Sequence, residues 1–272
     1  MPKKEKIIAV IPAYNEEGQI ASPLSALTKS PLIDEIVVIN DGSLDRTPEI
    51  ARLFGVHLID HKVNHGKGAA LQTGINYALK KNFEIILFLD ADLIGLTPTH
   101  IKKLINPLLR NKNLLMTIGV FVRDYKKGKE TTVEFSGQRA IRRSFFTGLI
   151  DLTHVGFGVE KIITEHLKRI AQGKNIPVTK LYKRVKLENL IHVKKEGKYG
   201  TLEGLGARIK MGLEISKAPA ELWRSDLLTK LSNLLGLDLT PLIKELEKKR
   251  LAKKIKKDQK RALTKLKRKN NG

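Results

Sequence analysis

The run Ile85–Ile86–Leu87–Phe88–Leu89, closed by Asp90–Ala91–Asp92, constrains this chain more than any other stretch. Consecutive apolar residues without polar alternation suit a strand covered on both faces. Such strands belong to sheets with helices on either side, so the run predicts an α/β layer architecture. In open α/β sheets the ligand sits in the crevice beyond the carboxyl ends of the strands. A D-x-D at that point offers hard oxygen donors to a divalent cation, which commonly shares its shell with substrate phosphates. Taken alone, the pattern could equally be a strand that ends in a solvated turn.

The preceding residues repeat the arrangement. Lys6–Pro12, Asp34–Asn40 and Val56–Asp60 read as strands, with Glu84–Asp90 as the fourth. Between them lie helical signals. Ser22–Pro23 reads as a cap before Leu24 and Leu27, Thr47–Pro48 as a cap before Ile50, Leu53 and Phe54, and an Ala-rich helix runs from Ala69 to Leu79. Thr97–Pro98 caps a further helix with Ile101, Leu104, Ile105 and Leu108 on one face. Strands alternating with helices predict a mostly parallel sheet with right-handed crossovers.

Beyond this the pattern loosens. Leu115–Val122 is strand-like, Asp124–Thr132 a charged loop, and Ser136–Phe146 helical toward its end. Val155–Gly158 is a glycine turn, Glu160–Ala171 a helix and Val178–Leu187 a strand. Leu202–Ile215 follows as a basic amphipathic helix, Leu222–Leu235 as another helix and Pro241–Lys269 as a long, highly basic one. The expected division is a catalytic domain over 1–195, a helical extension over 196–238 and a basic tail over 239–272.

Charge bears on partners. The formal net charge is +23, and Thr240–Gly272 holds fourteen Lys/Arg against three Asp/Glu. Such a balance points to an anionic partner: nucleic acid, a membrane surface or phosphorylated substrates. Base-stacking aromatics are few and no nucleic-acid-reading motif accompanies the charge, so nucleic acid is not the expected main partner. There is no Cys, which excludes disulfides and thiolate metal sites and fits the cytoplasm. No apolar run approaches the ~18 residues of a spanning helix.

Three loops close strands at the same end of the sheet: Pro12–Glu17, Asn40–Ser43 and Asp90–Asp92. They bring Glu16, Asp41, Asp90 and Asp92 toward one crevice. The loop Asn64–His65–Gly66–Lys67–Gly68 adds close backbone approach and a cation for a phosphate. It lacks P-loop spacing, and no dinucleotide fingerprint follows the first strand.

The ordered set IPAYNEE, INDGSLDRT, NHGKGAALQTG and FLDADL resembles family 2-type glycosyltransferases of the GT-A fold. SGQRAIRR, GFGVE and IHVKK resemble the subgroup near glucosyl-3-phosphoglycerate synthases, and SGQRA also the dolichyl-phosphate sugar synthases. The resemblance implies transfer of a sugar from a UDP- or GDP-linked donor with Mg²⁺ or Mn²⁺. It places Pro12, Ala13, Tyr14, Glu16, Asp41, Lys67, Asp90 and Ala91 at the nucleotide-sugar. Asp92 and His192 would hold the metal, and Asn40 departs from the Asp common in the family. Glu160, after a Gly-x-Gly turn, is the candidate base or sugar-orienting group; Arg139 is the candidate for an acceptor phosphate.

The expected acceptor is a polyprenyl phosphate, a glycolipid or a small phosphorylated molecule. The basic helices would lie on an anionic membrane at its cytoplasmic face, or pack on the catalytic domain or a twin subunit. A non-catalytic nucleotide-sugar binder and a nucleic-acid binder acting through the tail are the competing readings.

Overall fold

The computed structural model describes residues 4–124, 129–130, 136–155 and 158–192. The expected boundaries near 195 and 238, and all three C-terminal helices, lie outside them.

The strands are β1 (Ile7–Ala13), β2 (Glu35–Asn40), β3 (His57–Asp60), β4 (Ile85–Phe88), β5 (Leu93–Ile94), β6 (Met116–Asp124), β7 (Lys129–Glu130), β8 (Arg139–Arg142), β9 (Tyr182–Leu187) and β10 (Ile191–His192). The helices are α1 (Ala21–Thr28), α2 (Thr47–Leu53), α3 (Lys67–Lys80), α4 (Pro98–Arg110) and α5 (Val159–Gly173). Among the described residues the main sheet runs β3-β2-β1-β4-β8-β6-β7, with β9 also on β6. β3, β2, β1 and β4 are mutually parallel. β8 runs antiparallel between β4 and β6, so β6 and its parallel partner β9 point the same way as β4. This is the mixed, mostly parallel sheet of the GT-A fold.

Alternation on β1 divides the core. Ile7, Ala9 and Ile11 join Leu24 of α1, Ala51 of α2 and Leu104 of α4 on one face. Ile8 and Val10 join Ile75 of α3 and Ile163 of α5 on the other. α1 and α2 step outward from β1 to β3, while α3 steps back across to β4 on the opposite face, as one crossover hand requires. The strand order therefore reverses at β1 and β4, which opens a crevice beyond their carboxyl ends.

α3 lies close on the sheet because its inner stripe is small. A Cβ on Gly74 would sit 2.3 Å from Val10 Cγ1, and one on Gly68 1.9 Å from the Val155 carbonyl oxygen. The Gly68 neighbour is backbone and cannot rotate away. Gly68→Ala is expected to cost about 2 kcal/mol, overpacking outweighing the helix-propensity gain, as read by urea unfolding.

Several local expectations change. The end of Ser136–Phe146 was expected to be helical. Instead Arg139–Arg142 is the central strand β8, and only Arg143–Phe146 makes a short 3₁₀ turn. Ala140 and Ile141 are fully buried on opposite faces, and two-sided burial overrides the helix-like spacing of the arginines. α1 starts at Ala21 without a side-chain cap, leaving Pro23 in the first turn, where no helical N–H is lost. α2 is capped through Asp45, which accepts the Thr47 N–H. Lys129–Glu130 pairs with β6 inside the segment read as a loop. Val178–Lys180 is a 3₁₀ turn, so the last long strand begins only at Tyr182. Thr97 caps α4 as expected, its hydroxyl accepting the His100 N–H.

Candidate active site

The crevice is built by two clasped loops. Asn15 adopts a left-handed φ of +53°, turning the chain sharply after β1. Its N–H donates to Ser43 Oγ (3.0 Å), and its side-chain oxygen accepts the Leu44 N–H (2.9 Å). The Glu16 N–H donates to Thr47 Oγ1 (2.7 Å). Pro12–Glu16 is thereby fixed against the turn after β2, with Tyr14 38% exposed at the crevice edge.

Asp41 is almost fully buried. Its carboxylate accepts the N–H groups of His65 (3.0 Å) and Gly66 (2.7 Å), and lies 2.7 Å from His61 Nδ1. Asp41 thus caps α3 from another loop, where the helix dipole favours a negative charge. The other nitrogen of His61 lies 2.9 Å from Thr73 Oγ1, tying the same loop down onto α3. In this structure Asp41 holds the loop that leads into α3. Asp41→Asn cannot accept all of these N–H groups at once. Hydrogen exchange at His65 and Gly66 should rise, and nucleotide affinity should fall by roughly tenfold.

Lys67, the first residue of α3, crosses the crevice floor. Its ammonium donates to Asp90 Oδ1 (2.8 Å) and Glu160 Oε1 (2.6 Å). Burial disfavours the charge, but the two carboxylates outweigh it and hold the ammonium above the usual lysine range. Asp90 Oδ2 also accepts from Gln138 Nε2 (2.8 Å). A Cβ on Gly137 would lie 2.6 Å from that same oxygen, so a larger residue there would have to displace the Asp90 carboxylate. Gln138, Gly137 and His61 are site-building residues that sequence reasoning passed over. The signal for the first two lay inside the SGQRA segment.

Arg139 lines the same floor but is 1% exposed. Its guanidinium donates to the Ser136 carbonyl (2.8 Å) and Thr164 Oγ1 (3.1 Å), and Thr164 donates onward to the Glu160 carbonyl (2.8 Å). Burial pushes its pKa down to about 10, opposed by the charge of Glu160. Arg139, the candidate for an acceptor phosphate, is enclosed here and supports the first turn of α5, and with it Glu160. Arg142, on the other face of β8, pairs with Glu5 at 2.6 Å.

Ala91 and Asp92 follow at the end of β4. β5 then pairs antiparallel with β10, setting His192 opposite Leu93. Leu93 and His192, 99 positions apart in the sequence, are thus paired, and Asp92 is the residue before Leu93. Among the described residues no three carboxylate or histidine side chains form a metal cluster.

The sequence model described as "Glycosyl transferase family 2" matches residues 8–168, more than half of the chain. The chain belongs to that family. A dolichyl-phosphate beta-glucosyltransferase of Trichomonas vaginalis is 30% identical over 170 residues, 52% of this chain and 51% of that protein. An uncharacterized protein of Methanocaldococcus jannaschii is 43% identical over 106 residues, 39% of this chain and 43% of that protein. The chain therefore spans about half, or less, of these relatives. Glucosyl-3-phosphoglycerate synthase of Mycobacterium tuberculosis, crystallised with Mn²⁺ and UDP-glucose, superposes with a TM-score of 0.62 at 22% identity. The match covers 81% of each chain and supports the fold.

Proposed function

We propose that the chain transfers a hexosyl group from a nucleotide diphosphate sugar to a phosphorylated acceptor. The observation that carries this reading is the Lys67–Asp90–Glu160 bridge at the β1/β4 switch point, beneath the clasped loops of β1 and β2. Mycobacterium glucosyl-3-phosphoglycerate synthase binds UDP-glucose and phosphoglyceric acid, and the Trichomonas relative is named for dolichyl phosphate. Both carry a phosphate on the acceptor side, which favours that class here.

Asp92 and His192 would supply a carboxylate oxygen and an imidazole nitrogen; the backbone pairs His192 with Leu93, the residue after Asp92. Together with diphosphate oxygens they would make a donor set suited to Mg²⁺ or Mn²⁺. Bound there, the ion would offset charge on the leaving diphosphate. The chain's own residues do the rest. Pro12–Glu16 and the Asp41-held loop enclose the nucleoside, and Asp90, fixed by Gln138 and Lys67, faces the ribose. Lys67 is charged at every working pH and presents a fixed cation on the diphosphate side. Glu160 sits on the acceptor side and orients the hydroxyls of the sugar or acceptor. Catalysis is mainly positioning and preorganised charge.

Calorimetric titration with UDP, GDP, UDP-glucose and GDP-mannose, each with and without Mn²⁺, tests the reading. Metal-dependent binding of one nucleotide family is expected. Absence of binding to all of them by folded protein would defeat it.

A further inference from the structure

A second, larger concavity lies away from the crevice. It is a groove of about 870 Å³ between α4 and β9. Along α4 it is walled by Thr99, Lys103, Asn106 and Arg110, at helical spacing, with Lys102 beside them. β9 and the turn before it supply Lys180 and Lys183. The floor is apolar, made by Pro107, Leu114 and Val185. Glu188 is the one carboxylate in the lining, and Lys103 already neutralises it. Lys102, Arg110, Lys180 and Lys183 are exposed and pair with no carboxylate among the described residues.

We propose that this groove docks the protein on a membrane carrying anionic phospholipids, with lipid phosphates on the cationic rim and acyl segments against the apolar floor. The charge is complementary to phosphate, and the section of the groove, apolar below and cationic above, matches that of an anionic amphiphile. Nucleic acid fits less well, because Tyr182 is the single aromatic ring in the lining and base stacking has no platform. The position has a consequence. β9 continues through Glu188 and Asn189 into β10, where Ile191 pairs with Ile94. These two side chains are 58% and 40% exposed, beside the segment that follows Asp92. A bilayer seated along α4 and β9 therefore lies next to the crevice mouth. All the residues that line this site are among the described ones.

The test uses the full chain in flotation with vesicles of phosphatidylcholine, with and without phosphatidylglycerol, at physiological ionic strength. The wild type is expected to bind only the anionic vesicles. Lys102→Glu/Arg110→Glu/Lys183→Glu should lose on the order of a hundredfold in partitioning. Its nucleotide affinity, measured by calorimetry, should be unchanged, which establishes that it is folded and keeps the crevice separate from the groove. Wild type that fails to bind anionic vesicles, or a triple variant that binds them as the wild type does, overturns the proposal. So does loss of oligonucleotide retention in the variant with vesicle binding intact.

Discussion

Lys67→Met is expected to lower sugar transfer by about 10²–10³-fold and stability by about 3 kcal/mol. The ammonium is the only cation bonded to both Asp90 and Glu160 among the described hydrogen bonds, at 2.8 and 2.6 Å. Its side chain is 20% exposed, and those of Asp90 and Glu160 are 21% and 10% exposed. Removing it leaves two facing carboxylates with their desolvation uncompensated, the costly way to break a buried pair. The same change deletes the fixed cation on the diphosphate side, where one preorganised group contributes about 10²–10³ in rate. Chemical denaturation and donor turnover read the two effects separately. Because the folded pKa of Lys67 is raised, its stabilising contribution is complete below the ordinary lysine value. It is lost only as pH climbs through the raised folded value. A pH–stability profile through neutrality should therefore show no limb from this group.

Asp92→Ala is expected to lower turnover about 10³-fold while shifting stability by less than about 1 kcal/mol. Asp92 is half-buried at the end of β4, outside the hydrophobic layers, so removing it opens no apolar cavity. The enhancement of nucleotide binding by Mn²⁺ should disappear with it. His192→Ala, opposite Leu93, should weaken the same enhancement by roughly 10- to 100-fold. Metal-enhanced binding that survives Asp92→Ala would remove the D-x-D from the account.

Much of the frame was readable because local pattern and global fold agree in the first half. β1, β2 and β4 are apolar runs buried on both faces, and Thr97–Pro98 caps α4 where the sequence puts it. The polar ends of β1, β2 and β4 were enough to locate the crevice. β8 was not readable: Arg142 looks like a surface position until the Leu108 and Leu114 carbonyls and Glu5 are brought to it across the fold. The β5–β10 ribbon pairs strands of two residues, too short for any periodicity to register. The Lys67–Glu160 pair joins positions 93 residues apart, so both could be named as candidates while their contact could not. Asp41 was legible as a carboxylate at a strand end, but its service to the His65 and Gly66 amides is a tertiary fact.

The most direct test of the central claim is release of free nucleotide from UDP-glucose and GDP-mannose by the folded chain with Mn²⁺. Each donor is offered alone, with phosphoglycerate and with a polyprenyl phosphate. The account predicts release from one donor family, accelerated by a phosphorylated acceptor and lost on chelation of the metal. Tight nucleotide binding with no release from either donor under any acceptor would contradict it, and would make the chain a binder rather than a transferase.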